Sequence, residues 1–141
     1  MIVVDTTVLC YAVGTEHPLR APCQRLLGLV RNGDLRASTT VEVLREFVHV
    51  RSRRRTRVDA VQVARAYVSL FSPLLTPDED TLEAGLRLYL DTPALGCFDA
   101  VLAATARQGA DAVLSADRAF AAVPDLRHVF PDDASIDRLL T

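Results

Sequence analysis

Along this chain, short runs of apolar residues alternate with longer stretches in which apolar residues recur at three- and four-residue spacing. Ile2-Val3-Val4 is a β-branched run that stops at Asp5, and Thr6-Thr7-Val8-Leu9 carries it into a turn and helix. Pro18 can open a helical stretch bearing Ala21, Leu26, Leu27, Leu29 and Val30, which the Asn32-Gly33 pair ends. Residues 35–38 read as a second short strand. Thr39-Thr40-Val41-Glu42 has the spacing of a capping box between Thr39 and Glu42, opening a helix on Val43, Leu44, Phe47, Val48 and Val50. Asp59 reads as the N-cap of a further helix through Val63, Ala66, Tyr67 and Leu70. Residues 72–77 suggest a short strand, which Pro73 and Pro77 weaken. Leu82, Leu86, Tyr89 and Leu90 mark another helix. Beyond Gly96 a stretch of small apolar residues, 100–106, predicts a helix packed closely on a sheet and ending at Gly109. Residues 112–115 form another buried-strand pattern before Asp117, and residues 127–130 suggest one more.

Short apolar strands alternating with amphipathic helices predict an α/β fold on a mostly parallel sheet. There is no glycine fingerprint of a dinucleotide site, no internal repeat and no low-complexity linker. The 141 residues, half of them hydrophobic, suit one domain spanning 1–141. The start of the chain lacks a positive region followed by an apolar stretch, and no run approaches the roughly 18 apolar residues of a membrane span, so neither secretion nor membrane insertion is expected. Cys10, Cys23 and Cys97 are odd in number and far apart, which argues against a disulfide framework or zinc site and for a reducing cytoplasm. His17, His49 and His128 are equally scattered and read as ordinary surface or core residues.

Charge changes the picture locally. The net charge is only −2, yet all 16 basic residues are arginine. Without lysine, P-loop phosphate binding and Schiff-base chemistry are closed to the chain. Arg51, Arg53, Arg54, Arg55 and Arg57 put five positive charges in seven residues, while the remaining 11 arginines face 18 acids. Such a patch attracts phosphate, with Arg53, Arg54 and Arg55 as candidate substrate contacts. A solvated helix C-terminus would favour the same charges.

Asp5 and Asp117 each follow a short hydrophobic strand, and ligands of open α/β sheets bind outside the carboxyl ends of strands. Asp99 lies at a helix start, and Glu46 lies one helical turn beyond Glu42. If Asp5, Glu46, Asp99 and Asp117 converge, mutual repulsion raises their pKa values unless a cation binds. Oxygen-only ligands favour Mg²⁺ or Mn²⁺. Each acid also has a local reading: Asp5 as a turn residue, Asp99 as an N-cap, Glu46 as a solvated charge beside Arg45, and Glu42 as the capping partner of Thr39.

Residues 1–9, then Val43-Leu44-Arg45-Glu46-Phe47, then residues 98–106, then Leu114-Ser115-Ala116-Asp117-Arg118-Ala119-Phe120, resemble in order and spacing the PIN-domain ribonucleases, in particular VapC-type toxins of bacterial toxin–antitoxin pairs. The resemblance spans essentially the whole chain. It implies a Rossmann-like three-layer α/β/α sandwich with a parallel sheet of about five strands. It also implies Mg²⁺- or Mn²⁺-dependent cleavage of single-stranded RNA by a homodimer that a small VapB-like antitoxin neutralises near the active site. Asp5, Glu46, Asp99 and Asp117 match the family's acidic quartet, with Asp5, Asp99 and Asp117 as metal ligands. Thr6 and Ser115 match positions where a hydroxyl stands beside the acids, and are expected at the substrate. The family frequently has Asn where Thr7 stands, and a further acid where this chain has Ala119. The arginine patch would then meet RNA or an acidic antitoxin tail.

Receiver domains and haloacid-dehalogenase-type phosphatases also set acids at strand ends, but both use a lysine, and the second needs Asp-x-Asp where Asp5-Thr6-Thr7 stands. A remaining alternative is a catalytically weak PIN fold that binds RNA or serves as a scaffold.

Overall fold

A computed structural model describes residues 1–141. Its centre is a four-stranded parallel sheet in the order β2-β1-β3-β4. In chain order the elements are β1 (Ile2–Val4), α1 (Thr6–Val13), α2 (Arg20–Asn32), β2 (Ala37–Ser38), α3 (Val41–Arg54) and α4 (Arg57–Phe71). They continue with α5 (Glu79–Asp91), α6 (Cys97–Arg107), β3 (Ala112–Leu114), a 3₁₀ turn (Arg118–Ala122), β4 (His128–Val129) and α7 (Asp133–Leu140). The two central strands pair Ile2 with Ala112, Val3 with Val113 and Val4 with Leu114. All six side chains are buried, which is why both strands read as continuous apolar runs rather than alternating ones.

The sheet has one strand fewer than the expected five. Residues 72–77 contribute only a single parallel bridge, Thr40 to Leu75, with the Leu75 N–H donating to the Thr39 carbonyl. Pro73 and Pro77 bring no N–H, so the segment cannot extend a ladder.

Two capping assignments shift. Thr40, not Thr39, caps α3 by accepting from the Val43 N–H at 3.2 Å, while the Thr39 hydroxyl donates to the Val4 carbonyl at 2.7 Å and ties α3's entrance to the end of β1. Glu42 therefore has no capping role. Thr56, not Asp59, caps α4; Asp59 lies in the first turn and pairs with Arg51. Helix α2 begins two residues after Pro18 and ends where anticipated, at Gly33 with φ of 82°, a left-handed conformation that suits a residue without Cβ. Helix α7 lacks a counterpart in the sequence reading; Asp132 caps it, Ile136 is buried beneath it, and Arg25 of α2 bonds Asp133 and Asp137 on its outer face.

Helix α5 forms, but not on the residues that marked it. Leu82, Leu86, Tyr89 and Leu90 are exposed, whereas Thr81, Gly85 and Leu88 are buried. Gly85 decides this orientation: a Cβ there would stand 2.7 Å from the Val101 Cα, so the two backbones of α5 and α6 meet at a glycine. Elsewhere the core follows the helical pattern, with Phe47 fully buried edge-on against Tyr67 and the Tyr67 hydroxyl donating to the Leu9 carbonyl at 3.0 Å.

Candidate active site

Strand order reverses between β1 and β3, so this edge is the topological switch point where an α/β sheet opens a crevice. Asp5 leaves β1 there, its N–H donating to the Leu114 carbonyl at 3.0 Å, and Asp117 follows β3. Helix α3 supplies Glu46 and α6 supplies Asp99. These four acids line one cleft of about 510 Å³, together with Thr6, Thr7, Tyr11, His17 and Arg54.

Asp5 occupies the N-cap position of α1 but makes no capping bond with its side chain. Its Oδ2 accepts from Ser115 at 2.6 Å and from Thr7 at 3.0 Å. Burial pushes its carboxyl above the ordinary range, and the hydroxyls of Ser115 and Thr7 pull the other way by bonding the charged form. The turn-residue reading thus fails for Asp5, whose side chain is held for the cleft at only 2% exposure.

Asp99 is at the third position of α6, whose N-cap is Gly96, so the plain N-cap reading also fails. Burial, then the charges of Asp5, Asp117 and Glu46, push its carboxyl up to about 7, and a hydrogen bond with Asp117 favours keeping the proton. Glu46 is held by Thr6, whose hydroxyl donates to its Oε2 at 2.7 Å. Asp117, the most exposed of the four, caps the 3₁₀ turn through the Ala119 N–H.

The structure places Ser115 and Thr6 differently with respect to the cleft. Ser115 is fully buried, donating to Asp5 and accepting from the Asp117 N–H at 2.9 Å, so it orients two acids from beneath and does not reach a substrate. Thr6 lines the cleft, but its hydroxyl is committed to Glu46. Thr7, which sequence reasoning treated only as a departure from the family, bonds Asp5 and accepts from the Ala116 N–H, joining the ends of β1 and β3. Two hydroxyl residues in succession after a strand-terminal Asp were the available signal for it.

The arginine patch divides. Arg51 is structural, its guanidinium bonding Asp59 at 2.7 Å and the Val13 carbonyl at 2.7 Å. Arg54 faces the cleft, Arg55 lies beside it, Arg57 borders a different groove, and Arg53 is exposed on the outside. Of the three arginines expected to contact substrate, Arg54 stands with the acids.

A PIN domain family model matches residues 2–126. The chain is also 50% identical over 142 residues to Ribonuclease VapC7 of Mycobacterium tuberculosis, covering 99% of this chain and 98% of that protein. The chain belongs to the PIN domain family. Within it, Ribonuclease VapC13 of M. tuberculosis is 31% identical over 92% of this chain and 99% of its own length. This PIN domain also shares its fold with a protein in the crystal structure of VapBC2 from Rickettsia felis bound to a promoter DNA fragment, at a TM-score of 0.71 and 16% identity, covering 92% of this chain and 98% of that one.

The donor set suits a hard divalent cation. It consists of carboxylate and hydroxyl oxygens, and burial together with the neighbouring carboxylates pushes Asp99 up, a cost that a bound cation would relieve. No three His, Cys, Asp or Glu side chains are drawn tightly enough to cage an ion. A divalent ion here would be held by one or two carboxylates, with water and phosphate completing the shell.

Proposed function

We propose that this chain is a metal-dependent endoribonuclease, the toxin of a type II toxin–antitoxin pair, cutting single-stranded RNA at the cleft between β1 and β3. The carrying observation is the common opening of Asp5, Glu46, Asp99 and Asp117 into that cleft. Family membership and the names of the relatives support the same reading. Mg²⁺ or Mn²⁺ would be held by one or two of Asp5, Asp99 and Asp117 directly and by the others through water, supplying a polarised phosphate and a more acidic water.

The chain's own groups do the positioning. Asp5 lines the cleft with its carboxylate oriented by Ser115 and Thr7 on Oδ2. Glu46, fixed by Thr6 on one oxygen, orients the attacking water and takes its proton through the other. The water oxygen bonds to phosphorus as one bridging P–O bond breaks, and the leaving oxygen is protonated from solvent. Arg54, which forms no ion pair within the chain, neutralises a neighbouring phosphate.

Residues 1–141 act as a single PIN domain in this reading, supported by one hydrophobic core running through the sheet and its helices. A homodimer is supported by the exposed apolar stripe of Leu82, Leu86, Tyr89 and Leu90 on α5. A small VapB-like antitoxin is the expected partner. The cytoplasm is the expected compartment, supported by three free cysteines, and no helix is long and apolar enough to cross a membrane.

The test is incubation of purified protein with single-stranded RNA in Mg²⁺, Mn²⁺ or EDTA, with the cut ends mapped. Cleavage confined to the metal lanes and lost in Asp5→Asn is expected. Wild-type rates in Asp5→Asn would remove this site, and metal-independent RNA binding without cleavage would favour the scaffold reading. Growth arrest on expression, relieved by the same substitution, tests the toxin role.

A further inference from the structure

The mouth of the cleft carries an aromatic pair that the chemistry of the acids does not use. Tyr11, on α1, and His17, in the loop between α1 and α2, stack with ring centroids 4.4 Å apart and planes inclined by 29°. Tyr11 is half-buried and His17 exposed, so the imidazole is the outer ring of the stack. The ring is held from a second direction: the Leu19 N–H donates to Nδ1 at 3.1 Å. The neutral tautomer therefore carries its proton on Nε2, away from the loop. Both rings line the same cavity as the four acids and Arg54.

An exposed ring, fixed in orientation by a stack and a hydrogen bond, loses little conformational freedom when a further ring settles on it. Every nucleobase has a π-face, but within a duplex those faces are covered, so a side-chain platform takes only an unpaired base. The acids, the guanidinium and the platform thus match, within one cavity, the reacting phosphate, a second phosphate and an unstacked base.

We infer that Tyr11 and His17 form a base-stacking subsite, in which an unpaired nucleobase next to the scissile phosphate continues the Tyr11–His17 stack while Arg54 holds the adjoining phosphate. The inference rests on the ribonuclease reading and deepens it by assigning the residues that select single-stranded RNA. It also gives the α1–α2 loop a function, because His17 reaches the cleft only through the turn that Leu19 closes.

Four variants separate stacking from loop support. His17→Phe retains a ring but loses the acceptor for the Leu19 N–H; His17→Asn retains an acceptor but loses the ring. His17→Ala loses both, and Tyr11→Leu removes the inner ring. Each is measured in two ways: metal-dependent cleavage of a single-stranded oligoribonucleotide, separated into KM and kcat, and quenching of 2-aminopurine placed at successive positions of that RNA in EDTA. Stacking on an aromatic side chain corresponds to about 5- to 150-fold in affinity per base. His17→Ala and His17→Asn should therefore raise KM within that range, with kcat changing much less, and abolish the quench. His17→Phe should restore both, and Tyr11→Leu should weaken both. Rescue by His17→Asn but not His17→Phe, or unchanged KM and quench in all four, would overturn the subsite while leaving the nuclease reading intact. A ring-dependent quench in a protein that cuts no RNA with either metal would leave the subsite standing and sink the nuclease reading.

Discussion

At the scale of single residues, the site is organised by hydroxyls beneath the carboxylates. Ser115 touches both Asp5 and the Asp117 backbone, so Ser115→Ala removes two oriented contacts in a buried place. Loss of such a supporting partner commonly weakens metal affinity by about 10- to 100-fold. That range is expected here by calorimetric titration with Mn²⁺, together with a loss of about 1–3 kcal/mol of stability from Asp5's lost donor.

Asp99 gives the site a pH signature. Its carboxyl is raised in the folded state from 3.8 to about 7, so between those values the folded protein binds the extra proton. The stability this contributes is complete below pH 3.8 and disappears as pH rises through 7. In metal-free protein, Asp99 thus makes the melting temperature fall as pH rises through that window; Asp99→Asn should flatten this component. A divalent ion displaces the proton, so metal binding should weaken as pH falls below 7. An unchanged pH profile in Asp99→Asn would show that the titrating group lies elsewhere.

At the scale of elements, helix ends and one glycine do the placing. Arg51, near the C-terminus of α3, joins α1 through the Val13 carbonyl and α4 through Asp59. Removing it strands a part-buried carboxylate, and Arg51→Ala should cost about 2 kcal/mol in a denaturant melt. Gly85→Ala should be worse tolerated than its size suggests, because the new methyl would meet the Val101 backbone at 2.7 Å and force α5 from α6. A loss of about 1–3 kcal/mol or more is expected in a denaturant melt.

At the scale of the whole molecule, near-neutrality conceals two opposed fields, one from the acids in the cleft and one from the arginines along the end of α3. The five clustered arginines are not equivalent. Only those free to meet phosphate contribute to the salt dependence of RNA binding, so Arg54→Ala should reduce the log–log salt slope by about 0.7, the value for one contact to a single strand. Arg51→Ala should leave the slope unchanged. Equal effects from the two would show that the cluster acts as a diffuse field.

The sequence alone determined the alternation of strands and helices, because buried parallel strands are written as apolar runs and α3 and α4 as three- and four-residue spacing. It also singled out four acids, Asp5 and Asp117 because each follows a strand, and Glu46 and Asp99 on helices by their match to the family's quartet. Tertiary structure decided what spacing does not encode. The 72–77 segment became a bridge because its prolines lack donors, and α5 turned its apolar marks outward because Gly85 admits the α6 backbone. Ser115 and Thr6 became supports, Arg51 a tie between helices, and His17 part of the cleft, because each role depends on a partner far away in sequence or on a loop's path in space. Local pattern fixes which face a residue prefers; which group it meets there is settled by packing.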